Sequence, residues 1–151
     1  MTSPDRRSQP TLLYLIKQIE LAIRAELDDL TRPAGLTALQ YTALTVLERQ
    51  SDLTTAHLAR NSFVTAQSMA DMVAALLDRG LIERHRDPAD RRRLVIALTA
   101  DGRRVLDDLR PSVAALEARM LAPLSAAAAR DLRSSLAHCR EALTEPVPET
   151  T

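Results

Sequence analysis

Apolar residues recur along this chain first at helical and then at extended spacing, and the change of period marks out its parts. Leu12, Ile16, Ile19, Ile23, Leu27 and Leu30 step by three or four, which gathers them on one stripe of an α-helix. Arg32-Pro33-Ala34-Gly35 stops that helix. A second opens at Thr37, whose hydroxyl can cap it while Gln40 reaches back, with Leu36 and Tyr41 at the flanking staple positions. Tyr41, Leu44 and Leu47 form its apolar face, and Gln50-Ser51-Asp52 ends it. The same syntax returns twice. Leu53 precedes cap Thr54, with Leu58 beyond, predicting a short helix that ends near Arg60-Asn61-Ser62. Val64 then precedes cap Thr65, with Met69, Val73 and Leu76 as an inward stripe and Gly80 as the stop, which predicts a helix over 65–79.

After Gly80 the period becomes that of strands. Leu81-Ile82-Glu83-Arg84-His85-Arg86 and Leu94-Val95-Ile96-Ala97-Leu98 flank a polar, turn-rich and basic segment, Asp87-Pro88-Ala89-Asp90-Arg91-Arg92-Arg93, which predicts a β-hairpin with an arginine tip. Thr99 caps a long helix through Val105, Leu106, Leu109, Val113, Leu116 and Met120, which Pro111 should bend and Pro123 should end. Ser125 caps the last helix, where Leu132, Leu136, Cys139 and Leu143 alternate steps of four and three, as a helix-packing seam does. Residues 1–10 and 145–151, polar or proline-containing, are expected to be disordered tails.

Composition narrows the class. With 151 residues, 46% hydrophobic and 26% charged, the chain suits one folded domain, and no run of about 18 apolar residues offers a membrane span. The first ten residues lack the apolar core of a secretory leader, so a cytoplasmic location is expected. Tyr14, Tyr41 and Phe63 are the only aromatics, too few for base-stacking platforms or an aromatic cage, and the core must be aliphatic. Net charge is zero, which disfavours a sequence-blind nucleic-acid binder, so the placement of charge matters more than its sum.

Three short helices followed by a two-stranded hairpin form the outline of a winged helix-turn-helix, in which the third helix enters the major groove and the wing reaches along the duplex. In the run from Leu81-Ile82-Glu83-Arg84 through Asp87-Pro88-Ala89-Asp90-Arg91-Arg92-Arg93 to Leu98-Thr99-Ala100-Asp101-Gly102, the chain resembles the multiple-antibiotic-resistance regulator (MarR) family. The resemblance extends from about Leu12 to Leu143. It implies a mainly α fold with a small β-hairpin wing: a winged helix-turn-helix DNA-binding lobe over 36–99, and a helical dimerisation region from segments 11–31 and 100–144. It further implies a homodimer that reads a pseudo-palindromic double-stranded DNA operator, as a repressor released by a small aromatic or phenolic effector whose binding residues remain unassigned.

The candidate residues can be weighed individually. With Met69, Val73 and Leu76 inward, Thr65, Gln67, Ser68 and Asp71 face outward near the start of the 65–79 helix. Gln can read adenine bidentately, Ser and Thr can bond bases or phosphates, and the helix N-terminus attracts phosphate. Asp71 either accepts from a cytosine amino group or holds a neighbouring arginine. On an arbitrary helix such residues are a solvated face; the winged-helix outline turns them toward DNA. In the wing over 81–99, Arg84, Arg86, Arg91, Arg92 and Arg93 are partly offset by Glu83, Asp87 and Asp90, while Asp28, Asp29, Asp107 and Asp108 lie elsewhere. Similarity to the family makes Arg92 the minor-groove residue, makes Asp90 a salt-bridge brace for its guanidinium, and sets Arg91 and Arg93 as flanking phosphate contacts.

Other chemistry finds little material. Cys139 on the seam reads as a small buried hydrophobe, and His57, His85 and His138 have no metal-ligand spacing, so no metal and no cofactor are expected. No Ser-His-Asp arrangement, glycine-rich phosphate loop or carboxylate pair points to an enzyme. The alternative is a helical dimeric adaptor that uses the same fold to bind protein, its wing arginines gripping an acidic peptide.

Overall fold

Five threonines and a serine set where the helices begin. In the computed structural model, which describes residues 9–144, α1 (Leu12–Thr31) is capped by Thr11, and α2 (Ala38–Arg49) by a full capping box of Thr37 and Gln40. Thr54 caps α3 (Thr55–Asn61) and Thr65 caps α4 (Ala66–Asp78). The Thr99 and Ser125 hydroxyls accept the Gly102 and Ala128 N–H groups at the starts of α5 (Ala100–Leu121) and α6 (Ala126–Thr144). Each such cap contributes about 1 kcal/mol and settles a helix start that periodicity leaves loose. Pro111 lies inside α5, which continues on both sides of it. Apart from Gln9 and Pro10, the expected tails lie outside the described residues.

The hairpin is antiparallel. β1 (Ile82–Arg86) pairs with β2 (Leu94–Leu98) in a register running from Ile82 opposite Leu98 to Arg86 opposite Leu94. Ile96 also donates its N–H to the Leu53 carbonyl at 2.8 Å, which ties the hairpin to the turn between α2 and α3. His85 Nε2 and Asp52 Oδ1, 2.9 Å apart, make a second tie to the same turn.

By packing, the chain divides into two compact units, one ending at Val113 and one beginning at Ala114. In the first, α1 packs on α2, α2 on α3 and α3 on α4, while β1 lies against α4 and β2 against α2. Their shared core is aliphatic: Leu44, Leu47, Leu58, Met69, Val73, Leu76 and Ile96 are buried, with Leu106 and Leu109 of α5 completing it. The second unit contains the end of α5 and α6, which enclose a groove of about 460 Å³ lined by Met120, Leu121, Leu132 and Leu136, with Glu117 and Arg133 paired at 3.1 Å.

Much of the apolar pattern at the two ends of the chain is uncovered. Leu12, Leu13, Tyr14, Ile16 and Ile19 on α1 are exposed, as are Leu132, Leu136 and Leu143 on α6. Cys139 is exposed too, contrary to the expectation of burial, because nothing in the described chain covers that face of α6.

Gly102 shows why the run from Leu98 to Gly102 is written as it is. A Cβ at this position would lie 2.2 Å from the Leu81 carbonyl oxygen and 2.6 Å from Leu98 Cδ1, so the start of α5 rests directly on the base of the hairpin. The Thr99 hydroxyl secures the same junction by donating to the Gly80 carbonyl at 2.7 Å. Helix propensity alone would make Gly102→Ala stabilising by about 1 kcal/mol. Overpacking reverses the sign, and the variant should lose about 1–3 kcal/mol in denaturant unfolding; a gain in stability would show that the junction has room.

Candidate nucleic-acid interface

The orientation of α4 follows from burial. Met69, Val73 and Leu76 are fully buried, and Thr65, Gln67, Ser68 and Asp71 are all exposed, as the helical period requires. The four are not equivalent. Thr65 Oγ1 accepts the Ser68 N–H at 3.1 Å and donates to Ser68 Oγ at 3.0 Å, so its hydroxyl is committed to the cap. Ser68, having accepted, keeps its own proton to donate outward. Gln67 and Asp71, one helical turn apart, have no side-chain partner among the described residues. No acidic residue lies in the first turn, so the positive end of the helix dipole is uncompensated there.

Both flanks of α4 are closed by the same motif. At its end, Gly80 (φ 70°) donates to the Leu77 carbonyl and Leu81 to that of Leu76, a Schellman termination. At the end of α3, just before α4 begins, Phe63 (φ 60°) donates to the Arg60 carbonyl and Val64 to that of Ala59. Glycine takes the left-handed position without penalty, whereas a side chain there costs about 1–2 kcal/mol. Arg79 adds a longer clasp, its guanidinium donating to the Gly35 carbonyl at 2.9 Å and to the Ala34 carbonyl at 2.7 Å. Neither Phe63 nor Arg79 stood out in the sequence: left-handed backbone at a phenylalanine has no local signal, and the Arg79 partners are more than forty residues away.

In the wing, Arg84, Arg86, Arg91, Arg92 and Arg93 are all exposed. The tip is ordered by its backbone, with the Asp87 N–H on the Arg93 carbonyl and the Arg93 N–H on the Asp90 carbonyl. Arg86 donates to the Arg91 carbonyl at 3.2 Å and is thereby drawn into the tip. The expected Asp90–Arg92 salt bridge is absent from the described residues. Asp90 Oδ1 instead accepts the Arg92 backbone N–H at 3.1 Å, the Asx-turn geometry natural to residues two apart. Asp90 therefore shapes the loop, and the Arg84, Arg91, Arg92 and Arg93 guanidinium groups are left without a partner among the described residues.

Several arginines outside the wing are committed to carboxylates. Arg24, Arg32, Arg104 and Arg133 each meet a carboxylate. Arg110 bonds both Asp107 and Glu48, and these bonds raise its pKa further. The net charge of zero thus hides a local excess of uncommitted cations on a hairpin, at Arg84 of β1, the strand that packs against α4, and at Arg91, Arg92 and Arg93 of the tip. Among the described residues no group of three or more His, Cys, Asp or Glu side chains is placed to hold a metal ion, and no helix is long and apolar enough to cross a membrane. His57 Nδ1 lies 2.9 Å from Thr54 Oγ1 as part of the α3 cap.

Comparison with known proteins bears on this geometry. A family model described as the MarR family matches residues 34–93, from the turn before α2 to the wing tip. The HTH-type transcriptional repressor Rv2887 of Mycobacterium tuberculosis is 32% identical over 123 residues, covering 82% of this chain and 88% of the relative. The transcriptional regulator HosA of Escherichia coli is 31% identical over 115 residues, 76% of this chain and 81% of the relative. Rv2887 in complex with salicylic acid superposes with a TM-score of 0.72 at 31% identity, over 88% of this chain and 98% of that one. CouR of Rhodococcus jostii bound to p-coumaroyl-CoA shares the fold, with a TM-score of 0.80 at 24% identity over 96% of this chain and 99% of that one.

The tip geometry predicts a separation of effects. Asp90→Ala removes the acceptor for the Arg92 amide and should speed its hydrogen exchange while changing global stability by no more than about 0.5 kcal/mol. Asp90→Asn keeps an acceptor oxygen and should exchange like the wild type. Equal exchange at Arg92 in all three proteins would show that this carboxylate does not order the tip.

Proposed function

The chain belongs to the MarR family, and from that premise we propose that it is a homodimeric transcriptional repressor that reads a pseudo-palindromic operator with α4 and the wing. The observation that carries this reading is the pairing of an outward α4 face, free at Gln67 and Asp71, with a hairpin packed beside it whose Arg84 and tip residues Arg91, Arg92 and Arg93 have no guanidinium partner among the described residues. Gln67 and Ser68 read base edges in the major groove, Thr65 holds the helix start, and Asp71 selects against phosphate approach on its side. Arg92 enters the minor groove, and Arg84, Arg91 and Arg93 meet phosphates, with Arg86 keeping the tip in shape.

Segments 11–31 and 100–144 serve dimerisation, and 36–99 the DNA lobe. The uncovered apolar residues of α1 and α6 support this, since a monomer that leaves so many large aliphatic side chains in water gains by pairing them with a second copy. Repression fits the name of the Rv2887 relative, and the salicylic and p-aminosalicylic acids in its solved complexes support a small aromatic carboxylic acid as the class of effector. Such a ligand acts by binding the DNA-competent and released states unequally.

The reading is tested by gel shift on the DNA flanking the gene, under salt titration. A discrete complex that weakens steeply with salt is expected, and no complex at low salt would reject it. Arg92→Ala should lower affinity and flatten the slope of log affinity against log salt by about 0.9 if one phosphate-neutralising cation is lost. Gln67→Ala should cost about 1–3 kcal/mol at the bases it reads and alter the preferred operator across a panel of single-base changes, with the salt slope unchanged.

A further inference from the structure

Phe63 is the chain's one phenylalanine, is 85% exposed, and lies outside the hydrophobic core. It occupies the left-handed position of the α3 termination, where the matching termination of α4 has Gly80. Glycine at 63 would satisfy the same two backbone hydrogen bonds without strain. The ring therefore earns no stability from its own chain in exchange for the strain. A strained, solvent-facing aromatic is maintained by something it meets outside the chain.

Its place in the fold indicates what that is. Phe63 stands two residues before Thr65, the cap of α4, a chain distance of at most about 7 Å, or about two base steps of 3.4 Å. The neighbouring outward groups, Ser68 and Gln67, are polar, and the start of the helix attracts anions. An aromatic ring matches none of these tasks. The apolar group that a duplex displays in its major groove is the C5-methyl of thymine. We propose that Phe63 is a specificity-determining DNA contact, packing on a thymine methyl at the margin of the bases read by Gln67 and Ser68. The assignment rests on the DNA-binding reading above.

The test begins with a duplex enriched from a random-sequence library by the wild-type protein, with binding measured by fluorescence anisotropy and stability by thermal melting. Phe63→Gly should melt no lower than wild type, since it relieves the backbone, yet bind the duplex about tenfold more weakly. Phe63→Leu, apolar and of similar reach, should retain most of the affinity. Replacing thymines one at a time by deoxyuridine removes only the methyl; at one position this should weaken wild type and leave Phe63→Gly unaffected. Wild-type affinity in Phe63→Gly overturns the proposal, as does a loss that no deoxyuridine position mirrors. Unchanged DNA binding with an altered oligomeric state by light scattering also overturns it and marks the ring as a protein contact. If the wild-type protein enriches no sequence at all, the DNA-binding reading fails first, and the role of Phe63 in DNA recognition falls with it.

Discussion

The anchoring of α4 governs what the rest of the molecule can do. Its inward residues Met69, Val73 and Leu76 are fully buried, each contributing roughly 1.5–3 kcal/mol relative to exposure. The helix is held at its start by the Thr65 cap and at its end by the Gly80 termination and the Arg79 clasp on the turn that follows α1. A helix fixed on three sides presents its fourth with little freedom of rotation. Gln67, Ser68 and Asp71 consequently project from one preset backbone face, and the ordering left to lose when they meet a partner is that of their side chains, not of the backbone.

The wing obeys a complementary logic, rigid at the base and uncommitted at the tip. Leu53 with Ile96, Asp52 with His85, and the Gly80–Thr99–Gly102 junction pin the hairpin to the body. At the tip, hydrogen bonds order the backbone while the Arg91, Arg92 and Arg93 guanidinium groups stay free. With acids such as Asp107 and Glu48 paired to Arg110 away from the tip, a chain of zero net charge still presents a cationic edge. Local disposition decides binding, because charges farther off than about 10 Å are largely screened at ordinary ionic strength.

Most of the architecture was legible in the sequence because its signals are local. The Thr37–Gln40 box and the Thr54, Thr65, Thr99 and Ser125 caps involve residues a few positions apart, and each is found in place, with the strands within one residue of their expected limits. What sequence reasoning missed depends on distance or on backbone conformation. Arg79 reaches carbonyls 44 and 45 residues away, Gly102 is required by the carbonyl of Leu81 at the base of the hairpin, and Phe63 adopts a conformation usually given to glycine. The Asp90 side chain went to a nearby amide because an Asx turn closes more readily than an ion pair through a long arginine. Cys139 lies on a seam that the period shows correctly, but the period cannot say whether the same chain covers it.

The central claim is that one surface, made of the α4 start and the wing, receives DNA. Hydrogen-exchange mass spectrometry of the full chain with and without an enriched duplex tests it most directly, because it maps contact without altering a residue. The account predicts slowed exchange over residues 65–71 and 84–93 when the duplex is bound, with the buried face of α2 unchanged. Slowing confined to α1 and α6, with α4 and the wing unaffected, would contradict it.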